Sequence, residues 1–284
     1  SMSQLKRCPR LYYYSIIRGL ATKRMAATLR FGIIFHEAQE TFYKAIARGE
    51  DEASAFRAVF ILILQRVREE PEIFKDSDPV RTPATLLRAA IWHLDEFGLN
   101  DPAQTVILAN GKPAVELSFK FPLELTSPDG GPYMLCGHID RLVTLGGDTY
   151  VEDYKTTKSA LSSYYFDGWS PENQMSQYSY AGRVVFGTPT SGVIITGVQL
   201  GVTFSRSARG FAHRTPAQLD EWLEDYQRWL ALAQGFAEAA YWPMNDKSCG
   251  MYGGSAFRGI CSKAPSVRES YLQTEFVTRT WDPT

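Results

Sequence analysis

Between residues 115 and 123, apolar Val115, Leu117, Phe119, Phe121 and Leu123 alternate with polar Glu116, Ser118 and Lys120. This is the period of two expected of a strand with one buried face. Residues 133–145 and 149–156 continue as strands, and the Gly146-Gly147-Asp148 turn between them is short enough to fold one antiparallel onto the other. Upstream the period is helical. Residues 32–47 carry Ile33, Ala38, Phe42 and Ile46 at roughly helical spacing, and 53–68 and 84–97 read as further helices around a polar, proline-bearing stretch at 71–83. Downstream, 171–186 reads as a helix and 192–205, rich in Val, Ile and Thr, as one or two strands. Residues 216–241 read as a long amphipathic helix with Leu219, Leu223, Tyr226, Leu230 and Phe236 on one side. The order predicts one α/β domain over 1–284, a mixed central β-sheet flanked by helices. It also predicts an N-terminal helical insert at about 50–105 and a loop-rich, cysteine-bearing segment at about 242–264.

With 284 residues, 44% of them hydrophobic, the chain can bury a substantial core. No apolar run approaches the roughly 20 residues that span a bilayer, and no signal-peptide pattern opens the chain, so the expectation is an intracellular, cytoplasmic protein without a membrane partner. The formal net charge of −1 gives no global argument for nucleic-acid binding. Arg18, Lys23, Arg24 and Arg30 do bias the N-terminal segment, either to track a phosphate backbone or simply as a solvated helix face. Tyr12, Tyr13 and Tyr14 lie close to arginines and either stack on bases or anchor a first helix. Four cysteines clustered toward the ends point to metal chemistry or burial, not to a secreted disulfide framework.

The densest chemistry is Val151-Glu152-Asp153-Tyr154-Lys155-Thr156, preceded by Gly137-His138-Ile139-Asp140. Asp153 and Lys155 are two apart in a strand, so both leave the same face. The turn at 146–148 brings Asp140 toward Asp153. Two close carboxylates repel unless a divalent cation neutralises them, and Mg2+ or Mn2+ suits oxygen ligands. His36, near the start of a helix, reads either as a metal ligand or as a satisfied core histidine. Glu116 is either an acidic support of the site or a solvent-facing strand residue. Gln174 and Tyr178, four apart, share one helical face.

In this order, Ser3-x4-Cys8-Pro9-Arg10, Gly32-x3-His36, Gly137-His138-Ile139-Asp140, Asp153-Tyr154-Lys155 and Gln174-x3-Tyr178 resemble the RecB-like branch of the PD-(D/E)XK nucleases. That branch includes CRISPR-associated adaptation nucleases, the AddB nuclease domain and phage exonucleases, and the resemblance covers nearly the whole chain. It implies a restriction-endonuclease-like core and metal-dependent hydrolysis of single-stranded DNA or DNA ends, leaving 5'-phosphate and 3'-hydroxyl groups. It implies that His36, Asp140 and Asp153 hold the metal, with the Tyr154 carbonyl as a further ligand. Lys155 would orient or help deprotonate the attacking water, and Gln174 and Tyr178 would support Lys155 or contact the DNA backbone. Partners implied are DNA and proteins of recombination, phage replication or CRISPR adaptation. A catalytically silent DNA-end-binding or partner-binding protein on the same fold is the alternative.

The resemblance also implies a four-iron, four-sulfur cluster on one N-terminal and three C-terminal cysteines, and Cys8, Cys249 and Cys261 fall at three of those places. The fourth falls at Ser255, a much poorer donor than a thiolate. A labile three-cysteine cluster, a natural variant with none and an engineered substitution all remain readings of that serine. So does a zinc-bound structural site on the three cysteines with a fourth ligand unidentified. Cys136, in the Asp140 strand, reads as a small packed residue.

Overall fold

The computed structural model describes residues 2–74, 78–185, 190–251 and 254–279. The chain divides into two compact units: one is Ser1–Met25, Lys120–Leu135 and Pro216–Thr284, the other Ala26–Phe119 and Cys136–Thr215. The first unit begins with α1 (Met2–Arg7) and α2 (Pro9–Tyr12), continued by a π-helical turn at Tyr13–Ile17, and then β1 (Leu20–Thr22). The second begins with α3 (Ala27–Ala47), α4 (Glu52–Glu69) and α5 (Pro83–Phe97). These are followed by β2 (Gln104–Thr105), β3 (Val115–Thr126), β4 (Pro132–Leu145) and β5 (Asp148–Thr157), then α6 (Ser163–Asp167), α7 (Asn173–Val185), β6 (Gly192–Leu200) and β7 (Ser205–Ala212). The first unit resumes with α8 (Pro216–Glu238), α9 (Arg258–Cys261), α10 (Pro265–Glu275) and β8 (Phe276–Thr278). No helix among the described residues is long and apolar enough to cross a membrane.

The central sheet is mixed, in the order β2-β4-β5-β6-β7, with β3 also paired to β4. β4 and β5 are antiparallel with Leu145 opposite Asp148, leaving Gly146 and Gly147 as a two-residue turn. Their φ values of 61° and 92° are the left-handed conformation that a tight hairpin of this twist requires. β5 and β6 are parallel, joined through α6 and α7, and β6 and β7 are antiparallel from Val193↔Ala212 to Leu200↔Ser205. The stretch at 192–205, expected to form one or two strands, holds one, β6, and ends where β7 begins at Ser205.

The helical insert follows local signals. The Asp51 side chain accepts from the Ser54 N–H at 2.8 Å to start α4, and Thr82 accepts from the Thr85 N–H at 3.1 Å, with Pro83 in the first turn of α5. α3 begins at Ala27, five residues ahead of the expected Gly32, on Ala26, whose side chain makes no capping bond. Its buried stripe is Phe31, Ile34, Phe35, Ala38, Phe42 and Ala45. Of the expected positions Ala38 and Phe42 are buried, whereas Ile33 and Ile46 are only half-buried and Ile34 and Ala45 take their places. The stripe packs with Val59 and Ile63 of α4, Leu86, Ala90 and Leu94 of α5 and Tyr154 of β5 into one core, where each large side chain contributes about 1.5–3 kcal/mol. α7 begins at Asn173; its expected end at Phe186, and part of the stretch at 71–83, lie outside the described residues.

In the other unit, Tyr14, Leu20, Phe257, Ile260, Leu272 and Phe276 form a separate core, and β1 pairs antiparallel with β8. The long amphipathic helix expected at 216–241 is α8, ending at Glu238.

Candidate active site

The pairing of β4 with β5 runs from Leu145↔Asp148 to Arg141↔Glu152. One step further, at Asp140, the backbone of Tyr154 is taken up by side chains. The Tyr154 N–H donates to Asp140 Oδ2 at 2.9 Å, and the Tyr154 carbonyl lies 2.9 Å from His36 Nε2. The other ring nitrogen, Nδ1, is 3.2 Å from Asp140 Oδ1. One ligand atom each from His36, Glu116 and Asp140 lie within 4.8 Å of one another, the single group of this kind among the described residues.

Glu116 reaches this group through an unusual backbone. Its φ of 51° is one of two left-handed values at non-glycine residues among those described, and it breaks the simple polar-face alternation expected of β3. The solvent-facing reading of Glu116 is therefore set aside: the residue is half-buried beside Asp140. Gly137 has a steric reason, since a Cβ there would stand 2.8 Å from the Phe119 ring and 3.2 Å from Gln177 Nε2. Gln177 also donates to the Cys136 carbonyl at 3.0 Å, tying α7 to β4.

Asp153 and Lys155 do share one face, and Lys155 Nζ lies 2.8 Å and 2.6 Å from the two Asp153 oxygens. Asp153 is thus held by the lysine and stands outside the His36, Glu116 and Asp140 group. Gln174 Nε2 donates to the Tyr178 hydroxyl at 2.8 Å, and Tyr178 is buried where the charges of Asp153 and Asp140 reach it.

The electrostatics separate these groups. Burial pushes Asp153 up to about 6, with Asp140 adding to the shift and Lys155 opposing it. Burial likewise pushes Glu116 up to about 7, helped by Asp140 and Glu40. Asp140 goes the other way: burial would raise it, but His36 and Lys155 hold it below the usual carboxylate range. Burial would lower His36, yet Asp140 and Asp153 lift it to about 9, so it bridges Asp140 and Tyr154 as an imidazolium. Lys155 is raised despite its burial, by Asp153 and Asp140, and stays an ammonium at neutral pH.

The opposite face of the same strands carries a largely buried ion network that the sequence reading missed. Glu152 lies 2.8 Å from Arg141 Nε and 2.7 Å from Arg209, and accepts from Thr196 at 2.6 Å and from the Tyr154 hydroxyl at 3.1 Å. Asp101 closes the ring at 2.8 Å from Arg141 and 2.6 Å from Arg209. The Arg141 guanidinium lies 3.9 Å from the Tyr43 ring centroid and that of Arg209 4.4 Å from Phe97, so α3 and α5 are locked onto the strands of the site. His93 beside them is pushed down to about 4 by burial and is neutral, with Nδ1 2.9 Å from the Ser207 hydroxyl.

The cysteines of the resemblance gather in the other unit. The Asn245 N–H points to Cys8 Sγ at 3.4 Å, and Cys249 Sγ to the Asn245 carbonyl at 3.8 Å. Burial raises the Cys261 thiol, with Cys249 adding to the shift against Arg10 and Arg268. Ser255 accepts the Phe257 N–H at 3.3 Å through its hydroxyl, and its own N–H donates to the Cys249 carbonyl at 3.0 Å. The sulfurs form no group of three within 4.8 Å.

No curated protein matches the chain. A solved structure of a candidate exonuclease from Eubacterium rectale has a similar fold, with a TM-score of 0.51 at 12% identity, covering 88% of this chain and 85% of that one. A second, SSO0001, reaches a TM-score of only 0.28 at 14% identity over 58% of this chain and 68% of its own, and carries no argument. The family model described as the PD-(D/E)XK nuclease superfamily matches residues 1–262, spanning every site residue named above and all four cysteines, and the chain belongs to that superfamily.

Proposed function

We propose that the chain is a Mg2+- or Mn2+-dependent deoxyribonuclease, an exonuclease that hydrolyses phosphodiester bonds of single-stranded DNA or DNA ends. The observation that carries this reading is the convergence of His36, Glu116 and Asp140 beside the Asp153–Lys155 ion pair. The donor set, two carboxylates and an imidazole, suits a divalent cation, with the Tyr154 carbonyl and Asp153 at its margin. When bound, the ion would acidify a water and offset charge on the phosphoryl oxygens. Lys155, an ammonium at neutral pH, is not a proton acceptor, so its part is to hold the water and the developing negative charge. Asp153 orients that ammonium from both oxygens. Gln174 fixes the Tyr178 phenol on the α7 side of the same site. The deciding assay is cleavage of labelled single- and double-stranded DNA with Mg2+, with Mn2+ and with EDTA. Binding without turnover under all three conditions would favour the silent DNA-end-binding alternative.

Mn2+ is expected to raise the melting temperature, because it relieves repulsion within the acidic group. At about 100 times its dissociation constant, a ligand that ignores the unfolded chain contributes about 2.7 kcal/mol. Protons must leave Glu116, at about 7, and His36, at about 9, for both to ligate. Mn2+ affinity should therefore increase with pH across that window. Calorimetric titration at several pH values checks this, and an undiminished shift in Asp140→Ala would place the metal elsewhere.

Three thiols and Ser255 make an incomplete donor set for an iron–sulfur cluster, and the raised Cys261 pKa disfavours its thiolate. Protein purified in air is accordingly expected to be colourless or faintly brown. Ser255→Cys purified without oxygen should raise iron and sulfide content; a full complement of four irons already present in the starting protein would remove Ser255 from the ligand position.

A further inference from the structure

The face of β5 that carries Asp153 and Lys155 continues across β6 and β7. Lys155 is opposite Gly197, which is opposite Ala208, and Asp153 is opposite Ile195, which is opposite Gly210. The two glycines leave a shallow seat, and the segment after β5 fills it. A Cβ on Gly197 would stand 2.6 Å from Leu161 and 3.3 Å from the Tyr165 ring, and one on Gly210 would overlap the Phe166 ring. The segment is fixed at its far end by Arg214, which donates to the Trp169 carbonyl at 3.3 Å, the Ser170 hydroxyl at 3.2 Å and the Ser176 hydroxyl at 3.0 Å.

This seat presents aromatic rings at the edge of the site. The Trp169 ring centroid is 5.4 Å from Lys155 Nζ, and Tyr165 packs edge-on against both Trp169 and Phe166, at 6.1 Å and 5.1 Å between centroids. Burial, and then the charge of Asp153, push the Tyr165 phenol up to about 12. Tyr164, next in sequence on the same short helix, is 88% exposed, the most open of the large hydrophobic residues among those described. An aromatic ring left in water beside half-buried, glycine-seated neighbours does nothing for the core. Lys155 on β5 and the anchoring Arg214 border this segment with cationic groups of the kind that a phosphate backbone requires, while Lys158 is engaged by Asp78 at 3.2 Å.

We infer that the 161–169 segment is a nucleobase seat of this site, with the exposed Tyr164 ring stacking on an unpaired base of single-stranded DNA while Tyr165 and Trp169 hold the segment against Lys155. The inference rests on the nuclease reading and adds the form of the substrate: a base can meet this ring only when it is not stacked inside a duplex.

The test is fluorescence anisotropy of the full chain in EDTA, with a fluorescein-labelled oligothymidylate, the same strand carrying abasic sites, and a duplex of equal length. Tyr164→Ala should weaken single-strand binding about tenfold, the scale of one lost base–aromatic stack. Duplex binding should be unchanged, and Tyr164→Trp should restore single-strand affinity. The abasic strand should bind the unaltered chain as weakly as the intact strand binds Tyr164→Ala. Undiminished single-strand affinity in Tyr164→Ala, or equal losses for strand and duplex, overturns the stacking role. Failure of the nuclease reading shows separately, as an unaltered chain that cleaves no DNA with either metal.

Discussion

Lys155→Ala is expected to lower the rate of DNA cleavage by about a thousandfold or more while leaving the fold and Mn2+ binding in place, the scale on which a group acting on developing charge operates. Lys155 reaches both oxygens of Asp153, and its ammonium is stabilised at neutral pH by Asp153 and Asp140. It fills no part of the hydrophobic core. Removing it leaves Asp153 buried without its cation, and that carboxyl, already at about 6, would take up a proton instead of remaining an isolated charge. Asp153→Ala should lose activity as severely, since the ammonium is then drawn toward Asp140. Asp140→Ala and His36→Ala should fail differently, with Mn2+ affinity lost along with the rate. Single-turnover cleavage and metal titration of the four variants separate the two classes. Cleavage near the unaltered rate by the Lys155 and Asp153 variants, with contaminating nuclease excluded, would remove both residues from the chemistry.

The parts of this site that were legible in the sequence are those encoded by local spacing. Asp153 and Lys155 share a face because strand side chains alternate, and Gly146-Gly147 permits the turn that folds β4 onto β5. The mixed sheet flanked by helices followed from the same periodicities. What escaped was not local. The start of α3 carries no side-chain cap, so nothing in the sequence distinguished Ala27 from Gly32 as its beginning. Glu116 reads as an ordinary outward-facing strand residue, and its left-handed φ is imposed by tertiary context. Tyr164, Tyr165 and Trp169 follow β5 as an aromatic cluster, a visible signal, but their seating depends on Gly197 and Gly210 far along the chain. Asp101, Arg141, Glu152 and Arg209 each look like solvated charges. They become a buried ring only when three strands and the segment after α5 converge.

That ring carries the second large expected effect. Glu152→Ala should destabilise the protein by about 3–5 kcal/mol at neutral pH, because it leaves Arg141 and Arg209 in the interior with only Asp101 to balance them. The loss is a large share of the 5–15 kcal/mol by which domains are typically stable. The charge state of Glu152 predicts the same scale. Burial would raise its pKa, but Arg141, Arg209 and the Thr196 hydroxyl hold it down at about 2, against a usual value near 4.5. A depressed carboxylate contributes stability above its unfolded pKa and loses it as pH falls toward the folded one, so this contribution is present at pH 7 and fades between roughly 4.5 and 2. At 1.36 kcal/mol per pKa unit it amounts to about 3 kcal/mol. Urea unfolding of the unaltered chain and of Glu152→Ala should therefore show a wide gap at pH 7 that narrows at pH 3. The variant should also lose cleavage at temperatures where it remains folded, because the Tyr154 hydroxyl donates to Glu152 while the Tyr154 backbone holds Asp140 and His36. Tyr154→Phe probes that link: it removes the hydroxyl that donates to Glu152 and also meets Tyr43, and keeps the ring against Phe35 and His93. A reduced cleavage rate with near-normal stability in Tyr154→Phe would trace positioning of the site through the Tyr154 hydroxyl, which meets Glu152 and Tyr43, and an unchanged rate would confine the ring to stability alone.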